Sequence, residues 1–208
     1  RQMCIRDRRN IVQACSDRGI GHITLFAFST ENWSRPVEEV SSLMGLLVIY
    51  LEKEVADMNA HGVRLKVVGD IKRFDTRLQT LIQTAQEKTA SNSRITLTIA
   101  ANYGGRWDML QAVAAWQAAH PGEPIDAAAE SALRPYLSMA YAPDPDLVIR
   151  TGGDSRISNF LLWQMAYSEL FFTDTLWPDF SPKVLDEAIA WFGQRDRRFG
   201  GESQRAAV

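Results

Sequence analysis

The chain has 208 residues, 46% of them hydrophobic, and its 23 Lys and Arg against 25 Asp and Glu leave a formal net charge of -2. That is enough apolar material for one sizeable core, read as a single domain over 1–208, and too little positive charge for a nucleic-acid partner held by bulk electrostatics. No apolar run reaches the ~18 residues of a membrane span and no signal peptide is visible, so a cytoplasmic location is the expectation.

Apolar periodicity predicts a helix over 9–16, closed near Gly19, and then a strand over 22–28. A long helix is expected over 37–60, where Val37, Val40, Leu43, Met44, Leu47, Leu51, Val55 and Met58 recur at spacings of three and four. Strands over 64–69 and 95–101 follow, with a helix over 73–90 between them. Helices over 105–119 and 126–137 flank a Pro- and Gly-containing loop at 120–127. The last third predicts strands over 146–150 and 168–172 and helices over 157–165 and 182–195. Strands alternating with helices indicate an α/β fold, with a mostly parallel central sheet covered by helices on both faces.

Two segments carry chemistry. Residues 147–169 read LVIRTGGDSRISNFLLWQMAYSE. Arg150 and Arg156 flank a Gly152–Gly153 turn at the end of a buried strand, with Ser158 beyond. Two guanidinium forks, a hydroxyl and free backbone N–H groups suit an oxyanion with several oxygens, a diphosphate best of all. A plain strand–turn–helix junction carrying two surface arginines is the competing reading. Residues 22–36 read HITLFAFSTENWSRP. Here Ser29, Thr30, Glu31, Asn32, Trp33 and Arg35 cluster just past the carboxyl end of a strand, where open α/β sheets bind ligands. Ser34 and Pro36 also read as the capped start of the next helix.

The remaining composition is less specific. Only Cys4 and Cys15 are present, without CxxC or a Cys/His cluster, so neither a disulfide framework nor a zinc site is expected. His22, His61 and His120 are scattered and read as structural or exposed. Arginine supplies most of the positive charge, which fits bidentate phosphate contacts and equally fits a GC-rich genome.

The two segments, together with NYGGRWD at 102–108 and LWPDF at 176–180, closely resemble the cis-prenyltransferases, the undecaprenyl diphosphate synthases above all. The resemblance spans about 9–201. It implies condensation of isopentenyl diphosphate onto an allylic diphosphate of the farnesyl type, in cis, to a long polyprenyl diphosphate that serves as lipid-carrier precursor for cell-wall glycans. It implies Mg2+ as cofactor, a homodimer, and peripheral membrane contact through the lipid product. Carried over residue by residue, Arg150, Arg156, Ile157 and Ser158 form the isopentenyl diphosphate cradle. Ser29, Thr30, Glu31, Trp33 and Arg35 form part of the substrate loop. Asn32 matches a residue that assists proton removal, and Glu169 a carboxylate associated with magnesium. Leu47 and Ile95 line the hydrophobic tunnel, Ile95 at its closed end. Arg198 and Gly200 match a triplet that reaches toward a neighbouring subunit.

The sequence departs from the family pattern in three places. Ser155 stands where family members often have His. Residues 1–7 do not continue the pattern. The family's opening D-G-N-G-R-W motif does not occur in the 208 residues, and the chain reads as N-terminally truncated and inactive as it stands. The alternative is a non-catalytic partner subunit of a heterodimer, against which the intact SxENWxR and RTGG…RIS motifs argue. The DDxxD clusters of trans-prenyltransferases, and nucleotide signatures such as GxxxxGK[ST] and GxGxxG, do not occur.

Overall fold

The structure is a computed structural model and describes residues 5–125, 129–197 and 204–205. The chain divides into two compact units, one formed by Cys15–Pro143 and the other by the described residues of 1–14 and 144–208. In chain order the elements are α1 (Ile5–Asp17), β1 (His22–Ser29), α2 (Val37–Ala60), β2 (Val63–Val68), α3 (Thr76–Lys88), β3 (Ile95–Tyr103), α4 (Gly105–Ala119), α5 (Ala129–Leu133), β4 (Leu147–Arg150), β5 (Glu169–Phe172), α6 (Pro182–Gly193), β6 (Asp196–Arg197) and β7 (Gln204–Arg205). The fold is α/β, and the parallel strands form two sheets rather than one continuous sheet among the described residues. β1, β3 and β2 make a three-stranded parallel sheet, β4 and β5 a two-stranded parallel one, and β6 and β7 a small antiparallel pair.

In the 15–143 unit everything is hung on β3. Consecutive residues Leu97, Thr98, Ile99 and Ala100 are all buried. Successive side chains of a strand point to opposite faces, so both faces of the sheet are covered. β2 is an edge strand, and its free edge is closed by side chains of α3 and the turn after it. The Leu65 N–H donates to Thr89 Oγ1 at 3.1 Å and the Val67 N–H to Gln86 Oε1 at 2.9 Å. Asn92 Nδ2 donates to the Val63 carbonyl at 2.8 Å. These bonds satisfy backbone groups that would otherwise offer a template for a foreign strand.

The NYGGRWD segment runs from the end of β3 into α4, and its aspartate is structural. Asp108 is buried and accepts from the Tyr103 hydroxyl at 2.8 Å, Gln111 Nε2 at 3.0 Å, and the Ser138 N–H and hydroxyl at 2.9 and 2.7 Å. It ties α4 to the chain that follows α5. Cys15 is buried as well, and burial pushes its thiol up to about 11, with Arg18 pulling weakly the other way. It stays a neutral thiol at physiological pH.

In the other unit, α6 packs on β5 through an edge-to-face pair, Phe171 and Trp191, with ring centroids 5.4 Å apart. LWPDF forms a single 3₁₀ turn with Trp177 and Phe180 stacked. The helix predicted over 157–165 is absent; residues 158–167 form successive turns and bends. Ser158, Asn159 and Leu161 have φ of 49°, 60° and 39°. Left-handed backbone at three of four positions breaks a right-handed helix at once. Elsewhere the predicted strands and helices occur within a few residues of their expected bounds, except that 126–137 holds only the short α5 and a 3₁₀ turn among its described residues.

The Thr89 bond makes a checkable claim about the core. Thr89→Val preserves shape but leaves the buried Leu65 N–H without its acceptor, which costs about 1–3 kcal/mol. Urea unfolding should show a lower midpoint with an unchanged slope; an unchanged midpoint would show that the edge is satisfied some other way.

Candidate active site

The predicted site residues fall into two groups, one in each unit. In the 15–143 unit, β1 ends at Ser29 and residues Thr30–Ser34 wind into a 3₁₀ turn. The turn is closed from inside: Asn32 Oδ1 accepts the Ser29 N–H at 2.8 Å, and the Arg35 N–H donates to the Asn32 carbonyl at 3.1 Å. Ser34 does not cap α2. Its hydroxyl donates back to the Glu31 carbonyl at 2.7 Å, and Pro36 precedes the helix. Arg35 pairs with Glu39 at 2.5 Å, with both side chains about half exposed.

Trp33 is the most firmly held member of this loop. Its indole N–H donates to Asn102 Oδ1 at 2.8 Å, its ring meets Phe28 edge-on at 5.2 Å, and the Arg73 guanidinium lies 4.8 Å over it. Asn102 itself is buried, with a left-handed φ of 51°. Its Nδ2 donates to the Asp70 carbonyl at 2.8 Å while its own carbonyl accepts the Asp70 N–H at 3.0 Å. The strands are parallel, so their carboxyl ends lie at one edge of the sheet, and Asn102 joins all three of them there. Gly69 makes this possible. Its φ is 129°, and a Cβ there would stand 2.0 Å from the Ala101 carbonyl oxygen.

Asn102 stands in the NYGGRWD motif with no role that its sequence position reveals, and Gly69, Asp70 and Arg73 belong to no motif. A glycine directly after an apolar strand is the one signal that marked this junction.

Leu47 and Ile95 are both buried in this unit. Ile95 opens β3, paired with Val63, eight residues before Tyr103. At ~3.3 Å per residue it lies roughly 26 Å along the strand from the polar edge. Along α2 the buried residues of the apolar stripe are Leu47, Leu51 and Met58, and Val37 is exposed.

In the other unit, Arg150 closes β4 and the chain turns at Gly152 and Gly153, with φ of 90° and 82°. The N–H groups of these glycines donate to the carbonyls of Thr175 and Thr173 at 2.9 and 3.1 Å, so they are not free for an anion as expected. The turn instead brings side chains together. Arg150 Nη1 donates to Ser158 Oγ at 2.7 Å and to the Arg156 carbonyl at 2.6 Å. Arg150 Nη2 and Arg156 Nη2 both donate to one oxygen, Asp154 Oδ2, at 2.8 and 2.7 Å. Arg150, Arg156 and Ser158 therefore converge as the sequence suggested. Ile157 lies between them, exposed, and its carbonyl accepts the Phe160 N–H at 3.1 Å. Asp154 was missed, although a carboxylate spaced between two arginines in RTGGDSR was its signal.

Glu169 begins β5, opposite Leu147, whereas Arg150 pairs with Phe172. Three residues of parallel strand, ~10 Å, separate the Glu169 end of this pair from the Arg150 end. Among the described residues no group of three or more His, Cys, Asp or Glu could hold a metal. Magnesium asks for less, one or two carboxylates together with phosphate oxygens, and a lone Glu169 fits that donor chemistry. Arg198 and Gly200 lie outside the described residues.

Known proteins resemble this chain along nearly its whole length. A family model described as putative undecaprenyl diphosphate synthase matches residues 2–200, a stretch that includes the opening residues read above as departing from the pattern. The isoprenyl transferase of Ralstonia nicotianae is 55% identical over 195 residues, covering 94% of this chain and 76% of that protein. The (2E,6E)-farnesyl-diphosphate-specific ditrans,polycis-undecaprenyl-diphosphate synthase of Shewanella oneidensis is 52% identical over 194 residues, covering 92% and 70%. Among solved structures, a probable undecaprenyl diphosphate synthase from Campylobacter jejuni superposes with a TM-score of 0.86 at 31% identity, covering 94% of this chain and 91% of that one. Lavandulyl diphosphate synthase from Lavandula x intermedia, solved with dimethylallyl diphosphate, gives 0.87 at 32% identity, covering 94% and 86%. Matched along nearly its whole length by relatives of this kind, the chain belongs to the undecaprenyl diphosphate synthase family of prenyltransferases.

Proposed function

We propose that the protein condenses isopentenyl diphosphate onto an allylic diphosphate of the farnesyl type, repeatedly and in cis, to yield undecaprenyl diphosphate. The observation that carries this reading is the convergence of Arg150 and Arg156 on a single anionic oxygen, with Ser158 bonded to Arg150 beside it. A carboxylate oxygen sits there, and it marks where a phosphate oxygen would find charge-assisted donors.

The chemistry asks for little covalent help. The terminal carbon of isopentenyl diphosphate attacks the allylic C1, and the C1–O bond breaks with its electron pair leaving on the diphosphate. A proton is then lost from the neighbouring carbon to restore a double bond. Charge gathers on the leaving group, so preorganised donors are the main requirement. Arg150, Arg156 and Ser158 orient isopentenyl diphosphate by its diphosphate end, and exposed Ile157 lies beside it.

Ser29, Thr30, Glu31, Trp33 and Arg35 form the loop that receives substrate. The exposed Arg35–Glu39 pair contributes only ~0.2–1 kcal/mol, so Arg35 can exchange it for a diphosphate at small cost. Asn32 is an amide whose Oδ1 already accepts the Ser29 N–H. It orients the proton acceptor and does not itself take the proton. Glu169 would be this chain's ligand for Mg2+, which bound with diphosphate would neutralise charge on it.

The product is apolar. The half-open first turns of α2, Leu47 beyond them, and Ile95 at the far end of β3 supply a surface for a growing hydrocarbon, with Ile95 as its stop. We further propose a homodimer in which Arg198 and Gly200 serve the neighbouring site. We propose too that the protein works from the cytoplasm and meets the membrane through its lipid product. No helix among the described residues is long and apolar enough to cross a membrane.

Arg150→Ala and Arg156→Ala should each raise the KM for isopentenyl diphosphate, since a lost charge-assisted contact is worth about 1.5–3 kcal/mol, or roughly 10–150-fold. Steady-state incorporation of radiolabelled isopentenyl diphosphate, with the substitutions made in a version that carries the D-G-N-G-R-W motif, measures this. Normal kinetics in both variants would remove the arginines from the site. Ile95→Ala should lengthen the product, read by mass analysis of the chains. The truncation also costs about 2–5 kcal/mol of stability, so a thermal melt must accompany it. A folded variant with an unchanged length distribution would make Ile95 a core residue only.

A further inference from the structure

The anion cradle of the 144–197 segment holds a carboxylate of its own. We propose that Asp154 is a resident counter-anion: it holds Arg150 and Arg156 together while no substrate is bound, and it leaves when a diphosphate oxygen takes its place. This rests on the reading of Arg150, Arg156 and Ser158 as a diphosphate site.

The geometry argues for it directly. One oxygen, Asp154 Oδ2, accepts from both guanidinium groups at 2.8 and 2.7 Å. Two like charges sharing so small a space repel, and a single carboxylate oxygen between them offsets that repulsion. Arg150 needs this more than Arg156, because its side chain is only 26% exposed while that of Arg156 is 66% exposed. Asp154 is 42% exposed, so water can receive it when it withdraws.

Backbone geometry makes withdrawal a matter of side-chain rotation. The Gly152 and Gly153 N–H groups are pinned to the Thr175 and Thr173 carbonyls, which fixes the turn immediately before Asp154. Arg150 stays anchored through its other nitrogen, to Ser158 Oγ and the Arg156 carbonyl. The cradle therefore keeps its shape when the carboxylate rotates out. Repulsion between the Asp154 carboxylate and the entering diphosphate favours that rotation. Two arginines and one aspartate leave a single net positive charge, whereas a prenyl diphosphate carries more than one negative charge. With Asp154 in place the filled site would be anionic.

Asp154 thus acts as a positioning residue with two opposed effects. It preorganises the free cradle and competes with the ligand. Its removal should separate the two.

Calorimetric titration with inorganic pyrophosphate in EDTA, repeated with isopentenyl diphosphate, tests this on the unmodified chain and on Asp154→Asn, with Asp154→Ala as a second variant. The variants should melt at a lower temperature without ligand, yet bind pyrophosphate roughly tenfold more tightly and gain more in Tm when it is added. A structural role would lower both stability and affinity. Weaker or unchanged binding in either folded variant overturns the proposal. Arg150→Ala and Arg156→Ala, run alongside, separate the two readings. If they lose pyrophosphate while the Asp154 variants bind as before, the cradle stands and the counter-anion role falls. If they bind it unchanged, or the unmodified chain does not bind it, the cradle reading falls first and takes this inference with it.

Discussion

A single buried asparagine sets the geometry of the polar edge of the three-stranded sheet. Asn102 sits in left-handed backbone at the carboxyl end of the central strand, and three of its polar atoms serve two purposes there. Its carbonyl and Nδ2 lock the turn after β2 by bonding both backbone groups of Asp70, and its Oδ1 takes the Trp33 indole N–H. Left-handed backbone is costly for most residues and cheapest for Asn and Asp after Gly. A side chain with both a donor and an acceptor is also required. Asparagine alone meets both demands, and the close approach at Gly69 follows from them. Trp33 is then held at a fixed place above the sheet edge, and with it the loop from Ser29 to Arg35.

The second group of site residues is organised by charge rather than by backbone. Arg150 and Arg156 come from opposite sides of the glycine turn and are drawn together by Asp154, with Ser158 completing the ring. The turn keeps its own N–H groups busy with Thr173 and Thr175, so the anion site is built from side chains. On the proposed reading, that suits a ligand that must enter and leave at every round of elongation. Guanidinium forks can trade one set of oxygens for another without unfolding the turn.

Much of this was legible in the sequence. The α2 helix and the alternation that gave parallel strands appear where periodicity put them. The α2 stripe is buried only at Leu47, Leu51 and Met58, and the arginine pair lies near its serine. What was not legible depended on backbone path. The aromatic run after Ser158 has helix-like composition, yet Ser158, Asn159 and Leu161 adopt positive φ, and a leucine gives no warning of that. Asp154 could be seen between two arginines, but its oxygen meets both only because the glycine turn folds Arg156 back toward Arg150. The glycine N–H groups looked available because the carbonyls that take them lie some twenty residues later. Ser34 looked like a cap for α2 until the preceding 3₁₀ turn claimed its hydroxyl.

The central claim is that isopentenyl diphosphate is held by the arginine–serine ring. A crystal structure with a non-reactive thio-analogue of isopentenyl diphosphate tests it most directly. The account predicts phosphate oxygens within hydrogen-bond distance of both guanidinium groups and the Ser158 hydroxyl, with the Asp154 carboxylate rotated away. Analogue bound elsewhere, with Asp154 still bridging Arg150 and Arg156, would contradict it.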